Sequence, residues 1–461
     1  MSKTVAVIGA GISGTTVALE LEKYGMKVHL IEKGNEVVNG PPACHLHAGG
    51  NLYPEIPVED AKELLRESIE FARRYPLGIN HRPTLLCVPK DIPFELEELI
   101  DKAQELKKYY FELISQDLRN EVLGLPDNYY TLYYEDDVAK LLDKPYVEEP
   151  ITHSDWLGNV VEKLVLDTLK FPIMMINEPG IALFRIAALI EEELKNSSVK
   201  VHLNSQVLGI CMKEETLELL LKCEECEHFI QVDFVVNAAG YQSGAVDKLL
   251  GIYEEEMVEF KAAYLVNCTQ LKTIPEIIFH GIRGTTKGMG QLTPQCGNYF
   301  QLHSMTHEST LFENGISHSC SDEKLSLNSV VENILIQGFS KEELERRTYS
   351  AVSKIGKYIK IFDIGNVVYK PFFGIQKISK GEISKRTGGV DFSENYIRIE
   401  LVKYSSIINI ARKIIEKILG ETIEIVPLKT ESSKIEEVAE AIAVRRGYPK
   451  EIAKYYLKSK I

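Results

Sequence analysis

The chain has 461 residues, a formal net charge of −14 at pH 7 and a 44% apolar content. That length makes room for roughly two or three domains with sizeable cores, and 18 prolines are too few for a disordered polypeptide. The acidic balance excludes a general affinity for nucleic acid. No run reaches the ~18–20 apolar residues of a bilayer-spanning helix, and the opening residues lack a secretory leader, so the cytoplasm is the expected compartment.

Thr4–Ile8 is a short apolar run that predicts a strand, and it opens directly into Gly9-Ala10-Gly11-Ile12-Ser13-Gly14. A helical apolar period follows (Ala18, Leu19, Leu21), then Gly25, a second apolar run Val28–Ile31, and the acid Glu32. Glycines at this spacing say little alone. Between a strand and a helix, with an acid closing the next strand, they form the dinucleotide-binding fingerprint. Gly9 permits the tight turn, Gly11 lets backbone reach a pyrophosphate where a Cβ would collide, and Gly14 lets the helix lie close to the sheet. The first N–H groups of the helix, around Ile12 and Ser13, offer partial positive charge to phosphates. Glu32, followed by Lys33, can accept ribose hydroxyls and would repel a 2′-phosphate, which argues against NADP. The plainer alternative is a glycine turn with Glu32 as a surface acid.

The loop Gly34–Pro42 leads into Ala43-Cys44-His45-Leu46-His47-Ala48-Gly49-Gly50-Asn51-Leu52-Tyr53. Helices are predicted over Val58–Arg74 and Pro93–Leu118, with a strand at Thr84–Val88 between them. Ile181–Leu194 reads as an amphipathic helix, followed by an alternating segment from Val199 to Ile210. Leu217–Leu221 and Phe229–Val232 read as hairpin arms, so Cys223-Glu-Glu-Cys226 falls at their turn. No second cysteine pair lies near enough to complete a zinc site, and no metal is assigned. The 8 cysteines, spread over a long chain, read as reduced thiols. Phe234–Val236 then runs into Asn237-Ala238-Ala239-Gly240.

From about Phe260 to Tyr369 strands dominate, including Ala262–Cys268, Tyr299–His303 and Val367–Tyr369, with helical Val330–Ile336 and Lys341–Ile359 among them. Tyr396–Leu401 is a strand and Ile407–Leu419 a helix. Two short helices, Lys434–Arg446 and Pro449–Lys458, break at Gly447-Tyr448-Pro449. The pattern predicts an α/β fold: a Rossmann-like nucleotide-binding domain from residues 1–58, 150–255 and 385–461, interleaved with a mixed-sheet α+β substrate domain from 59–149 and 256–384. The active site is expected in the cleft between them.

Four segments, in this order, resemble the D-amino-acid-oxidase-like family of FAD-dependent oxidoreductases, which includes glycine oxidase, sarcosine and dimethylglycine dehydrogenases and L-2-hydroxyglutarate dehydrogenase. They are the fingerprint Val5–Glu32; His47-Ala48-Gly49-Gly50-Asn51-Leu52; Glu178-Pro179-Gly180-Ile181-Ala182-Leu183 with its helix and the strand to Val207; and Val235-Val236-Asn237-Ala238-Ala239-Gly240 with Ser243. The likeness spans most of the nucleotide-binding domain, whereas the inserted domain matches only in strand content and position. It implies FAD, held by Gly9, Gly11, Ile12, Ser13, Gly14, Glu32 and Lys33. It further implies that His47, Ala48, Gly49 and Gly50 lie against the flavin and that Val207, Ala238, Ala239 and Gly240 lie beside the nucleotide. A helix start at Lys403, Ser405 and Ser406 is the counterpart of the family's helix near flavin N1, where a helix N-terminus stabilises the charge that gathers on reduction. Without the resemblance, Ser405–Ser406 reads as a plain N-cap.

Catalysis follows from the same resemblance. Flavin accepts a hydride at N5, and the protein supplies orientation and electrostatics. The expected reaction is hydride transfer from the carbon beside an amine, in an amino acid or substituted amine, with oxygen or quinone as electron acceptor. The alternatives are a 2-hydroxy-acid dehydrogenase feeding quinone and a non-catalytic FAD-binding protein. In dimethylglycine-dehydrogenase-like members, a histidine placed like His47 is bonded covalently to flavin; a histidine that merely packs or hydrogen-bonds is the simpler role, and His45 and Cys44 are neighbouring options. Arg283 and Arg386, each flanked by glycine in a loop, are candidate grips for an anionic substrate or else surface arginines. Alternation puts Tyr299, Gln301 and His303 on one strand face, which lines the pocket or forms an outer edge. Lys261 opens another strand where relatives carry a basic residue. Arg445, Arg446, Lys450, Lys454, Lys458 and Lys460 give the C-terminus a basic face, for weak peripheral contact with an anionic membrane or simply for solvent.

Overall fold

Val5, Ala6 and Val7 are wholly buried, as both faces of an inner parallel strand require. In the computed structural model, which describes residues 2–50, 56–224, 226–319, 329–360, 370–378, 388–400, 403–428 and 432–457, they belong to β1 (Thr4–Ile8). It lies within a six-stranded sheet ordered β20 (Gly389–Phe392), β21 (Tyr396–Glu400), β13 (Phe234–Asn237), β1, β2 (Lys27–Ile31), β9 (Lys200–His202). Every pairing is parallel except β20 with β21. One face is covered by the helices Ile12–Lys23, Leu183–Lys195 and Ile407–Leu419, with Ser432–Arg445 packed outside Leu183–Lys195. The Ile407–Leu419 helix buries Ile407, Ile408, Ile410, Ile414, Ile415 and Ile418, a 3.6-residue stripe in which each side chain contributes roughly 1.5–3 kcal/mol. The other face carries a three-stranded antiparallel sheet, β10 (Gln206–Lys213), β11 (Thr216–Lys222) and β12 (Glu227–Val232), whose Leu217, Leu219 and Leu221 pack on Ala6, Ile31 and Val235.

A nine-stranded mixed sheet forms the second layer. Its order is β18 (Ile316–Ser319), β14 (Glu256–Asn267), β17 (Tyr299–Ser304), β16 (Gly290–Gln295), β15 (Glu276–Phe279), β5 (Thr84–Cys87), β7 (Ile173–Ile176), β6 (Tyr130–Tyr133), with β19 (Phe372–Ile378) also pairing with β14. Phe300 and Leu302 of β17 face a core with Trp156, Tyr264 and Phe279. The opposite face of β14 turns to the nucleotide-binding layer, where Ala263 and Leu265 enter the core of the first sheet. A small sheet, β3 (Ala43–His45), β8 (Gly180–Ala182) and β4 (Ile79–Asn80), joins the layers.

Two segments depart from the sequence-based boundaries. The Val58–Arg74 helix, expected in the inserted domain, straddles the two layers: Ala61, Leu65 and Ile69 pack with Leu106 and Ile176 of the inserted domain, and Phe71 and Ala72 enter the nucleotide-side core. Trp156–Leu164 and β7, expected on the nucleotide side, belong to the large sheet and its core. The reason for β7 is visible in its four apolar residues, all buried: a continuous apolar run is an inner strand and goes where both faces can be covered. The predicted strand Val367–Tyr369 lies outside the described residues. No helix among the described residues is long and apolar enough to cross a membrane. The basic C-terminal face is largely paired within the fold: Arg445 bridges Glu36 and Glu191, Arg446 holds Glu36, and Lys454 pairs with Glu440. Lys458 and Lys460 lie outside the described residues.

Candidate active site

The fingerprint turn separates its glycines into two kinds. A Cβ on Gly14 would lie 1.9 Å from the Gly9 carbonyl oxygen, and one on Gly9, whose φ is +101°, would lie 2.5 Å from that of Ala238. Both are compelled by backbone packing. A Cβ on Gly11 would meet nothing within 4 Å, and neither would one on Gly240. These two stand just past the C-terminal ends of the paired strands β1 and β13, where open α/β sheets bind ligands. Gly11 begins the Ile12–Lys23 helix without a side-chain cap, which leaves the first helical N–H groups to an outside acceptor. Glu32 accepts from the N–H of Ala10 and of Gly34, each at 2.8 Å, and stays partly exposed beside exposed Lys33. Val207 packs with Ile8 and Ile31 beneath the turn. Asn237 is fully buried and donates to Asp247, the Ser243 carbonyl and Tyr396, and so fixes the turn that carries Ala238 and Ala239. These residues fit the diphosphate end of a dinucleotide: an uncapped helix start beside two glycines that open to free space.

The Ala48–Gly50 segment is held closely by its surroundings. A Cβ on Gly49 would lie 2.4 Å from the Ala61 carbonyl oxygen, and one on Gly50 would lie 2.2 Å from Ile176 Cδ1. On the side where a Cβ would stand, both glycines are therefore packed against the protein itself. The Gly50 N–H donates to Glu178 at 2.5 Å, and Ser68 Oγ donates to the His47 carbonyl at 2.6 Å. The half-buried His47 ring stands edge-on to His45, 5.0 Å between centroids. Asn51 and Leu52 lie outside the described residues.

Beneath that segment lies a buried ionic network. His45 Nε2 is 2.9 Å from Glu178 and its Nδ1 is 2.8 Å from Glu276, which is also 2.7 Å from Arg82. Thr293 and Gln291 donate to the other Glu276 oxygen. Burial disfavours the charge on His45, but the two carboxylates prevail and raise its pKa to about 9. Burial would likewise raise Glu276; Arg82 and His45 override it and hold the carboxyl far below the ordinary range. Of these four, only His45 is offered an active-site role by the sequence, as an alternative to His47; Glu178, Glu276 and Arg82 are not. The available signal was an acid, Glu276, heading the apolar run Ile277–Phe279, since a charge built into an inner strand needs partners.

The remaining candidates converge on the face of β17 turned from its core. Gln301 lies opposite Leu265 of β14 and Thr293 of β16, and His303 lies opposite Gln291, so Gln301 and His303 share a face with Lys261. Gln301 Oε1 and His303 Nδ1 are buried without a hydrogen-bond partner among the described residues. Arg283 forms an ion pair with Glu259, which Lys261 also meets at 2.8 Å. Burial first, then the charges of Lys261, Arg283 and Lys403, holds His303 down at about 3, so it is neutral. Lys403 precedes the turn Tyr404–Ser406 and the Ile407–Leu419 helix. Ser406 Oγ is committed to Glu67 at 2.6 Å, whereas Ser405 Oγ is buried with no partner among the described residues. Burial raises the Cys44 thiol, which keeps it protonated. Arg386 lies outside the described residues. The expected hairpin turn at Cys223–Cys226 is present between β11 and β12, and the structure adds His228 beside the two thiols.

Residues 4–143 match the DAO family, described as FAD dependent oxidoreductase. Among curated proteins, the glycerol 3-phosphate dehydrogenase of Caloramator mitchellensis is 22% identical over 285 residues, covering 60% of this chain and 50% of that protein. The chain thus spans about half the length of the curated relative it matches. Two solved structures share the fold. L-proline dehydrogenase from P. horikoshii superposes with a TM-score of 0.56 at 14% identity, over 92% of this chain and 95% of that one. The glycerol-3-phosphate dehydrogenase from Bacillus halodurans, complexed with FAD, gives 0.55 at 12% identity, over 97% and 73%.

Proposed function

We propose that the chain, whose residues 4–143 match the model of FAD dependent oxidoreductases, oxidises a small anionic substrate at a C–H bond beside an amine. FAD, when bound, supplies the hydride acceptor. In this reading Gly9, Gly11, Ile12, Ser13 and Gly14 hold the diphosphate and Glu32 holds the ribose, with Lys33 at the rim. Val207, Ala238, Ala239 and Gly240 flank the nucleotide; Ala48–Gly50 with His47, and Lys403 with Ser405 and Ser406, flank the ring. Arg283, Lys261 and Lys403 attract and orient a carboxylate, and Gln301 and His303 offer it polar atoms. The buried His45–Glu178–Glu276–Arg82 network fixes the His47–Gly50 backbone from behind, and His45 acts there as a positioning residue.

The observation that carries the proposal is the convergence of Lys261, Arg283 and Lys403 on His303. Lys261 and Arg283 share one carboxylate, Glu259, so together with Lys403 the wall keeps a net positive charge, which suits an anion. A histidine held neutral with little proton affinity is a poor general base, which fits an amine that arrives uncharged better than a hydroxyl that must be deprotonated. Alcohol oxidation is the second reading, favoured by the similarity to a glycerol 3-phosphate dehydrogenase.

Anaerobic mixing of the flavin-loaded protein with amino acids and N-methyl amino acids, against 2-hydroxy acids and glycerol 3-phosphate, tests the choice. Bleaching of the flavin by the amines is expected. Bleaching by hydroxy compounds alone selects the second reading, and no bleaching by any compound points to FAD binding without turnover. Repeating turnover with oxygen and with quinone analogues identifies the acceptor; acid precipitation reports whether flavin is bonded to the polypeptide, and its release in a His47→Ala variant would assign the bond to His47.

A further inference from the structure

The six-stranded sheet ends at β9, and this edge gathers soft ligands that its packing does not call for. The pairing of β2 with β9 sets Ile31 opposite His202 and His29 opposite Lys200, so His29 and His202 are diagonal neighbours on one face. Their rings stack with centroids 5.2 Å apart, and His29 Nδ1 lies 2.9 Å from His202 Nε2. The β11–β12 turn delivers Cys223, Cys226 and His228 to the same edge. The Cys223 N–H donates to the Cys226 carbonyl at 2.8 Å and closes the turn. Cys223 Sγ is 3.7 Å from His228 Nδ1, and one ligand atom from each of Cys223, Cys226 and His228 lies within 4.8 Å of the others. The His202 and His228 rings are 6.2 Å apart. The whole chain holds 11 histidines and 8 cysteines. Three of those histidines and two of those cysteines meet here, half-buried or exposed, so core packing does not explain them.

We propose that Cys223, Cys226 and His228 bind a zinc ion, with His202 closing the fourth position through Nδ1 and His29 orienting His202 from behind. A tetrahedral ion with Zn–S of ~2.3 Å and Zn–N of ~2.0–2.1 Å separates its sulfur and nitrogen ligands by about 3.6 Å, close to the spacing already set between Cys223 and His228. Two thiolates and two imidazoles are a closed, structural donor set for this borderline-soft cation. Each thiol releases its proton to solvent on binding. A hydrogen bond to the far nitrogen of a metal-bound imidazole fixes its tautomer, which is the place His29 occupies. The ion pins the β11–β12 hairpin to β9. Ser205, whose Oγ is 3.8 Å from Cys223 Sγ, donates its N–H to the Glu32 carbonyl at 2.9 Å, so the ion also steadies the strand end that carries Glu32.

Full-length protein prepared without chelator or metal-affinity resin is expected to hold stoichiometric zinc. After stripping, Co²⁺ should give the intense red-region d–d bands of a tetrahedral thiolate centre, where flavin does not absorb. Cys223→Ser with Cys226→Ser should abolish both signals. His29→Ala should weaken zinc affinity about 10–100-fold. Cys211→Ser, an exposed cysteine of β10, should change neither signal. Circular dichroism matching the parent establishes that the variants fold, and zinc should raise the melting temperature of the stripped parent but not of the double-serine variant. Octahedral cobalt spectra indifferent to the double substitution would overturn the proposal, as would a Cys223–Cys226 disulfide in protein purified anaerobically.

Discussion

Strands β1 and β17 both run inside large sheets, yet they are built on different rules. β1 is buried on both sides and passes within six residues into the turn that holds Gly9, Gly11 and Gly14, so strand, turn and helix form one contiguous unit. β17 alternates between half-buried and buried residues. Its polar face gains meaning only when Lys261, Arg283 and Lys403 arrive from three other segments. The first arrangement is local and depends on backbone shape. The second is assembled across the chain and depends on buried charge, so the two should fail differently when altered.

The buried charge predicts the largest effect. Glu276→Ala leaves His45 and Arg82 without their shared carboxylate, and breaking a buried ion pair from one side costs about 3–5 kcal/mol; chemical denaturation of the variant checks this. The pH dependence follows from the two shifts. His45 is raised to about 9 when folded, so its contribution is fully present below its ordinary value of 6.5 and is lost as pH rises through 9. Glu276 is depressed, so its contribution is present above its ordinary value of 4.5 and is lost as pH falls toward the folded value. Unfolding free energy measured from pH 6.5 to 9 should therefore decline in the parent, and His45→Gln should flatten that slope.

Backbone shape predicts the next effect. Gly14→Ala forces a Cβ onto the Gly9 carbonyl and should destabilise the protein by about 1–3 kcal/mol, with loss of FAD binding. Gly11→Ala meets open space, so its melting temperature should match the parent while FAD affinity falls. If both variants lose stability alike, the distinction between a packed and a ligand-facing glycine is wrong. Lys403→Met is milder: KM for a carboxylate substrate should rise about tenfold, equivalent to ~1.4 kcal/mol, with the melting temperature unchanged.

These contrasts also explain what could be read in the linear chain. The fingerprint, the Ile407–Leu419 helix and the β11–β12 hairpin were legible because each is a periodic pattern inside a short window. The shared face of Gln301 and His303 was legible from alternation, but its neighbours were not. His45, Glu178, Glu276 and Arg82 sit on four separate segments, and apart from the apolar run that follows Glu276 nothing local marks them as buried partners. The side changed by Ile173–Ile176 has the same origin, because its apolar run specifies an inner strand without naming the sheet. Cys223, Cys226 and His228 were written close together. His29 and His202 come from two other strands, and only the parallel pairing brings them to that edge.

The C-terminal helix gives the closest comparison and, at Arg445, the smallest effect. Arg445 and Arg446 are adjacent and both reach Glu36, but the Arg445 side chain is half exposed whereas that of Arg446 is only 8% exposed and also donates to the carbonyls of Val37 and Val38. Val38 in turn donates its N–H to the Ala10 carbonyl at 2.8 Å, so Arg446 braces the nucleotide turn from outside. Arg446→Ala removes charged hydrogen bonds from backbone acceptors and should cost about 1.5–3 kcal/mol per such bond at most, less where water replaces it, with weaker FAD binding. Arg445→Ala removes only a surface pair and should cost ~0.2–1 kcal/mol. Because these arginines are engaged with Glu36 and Glu191, sedimentation with anionic vesicles should be the same for the parent and for Arg445→Ala. A drop in vesicle binding would show instead that Arg445 leaves its carboxylates for a membrane surface.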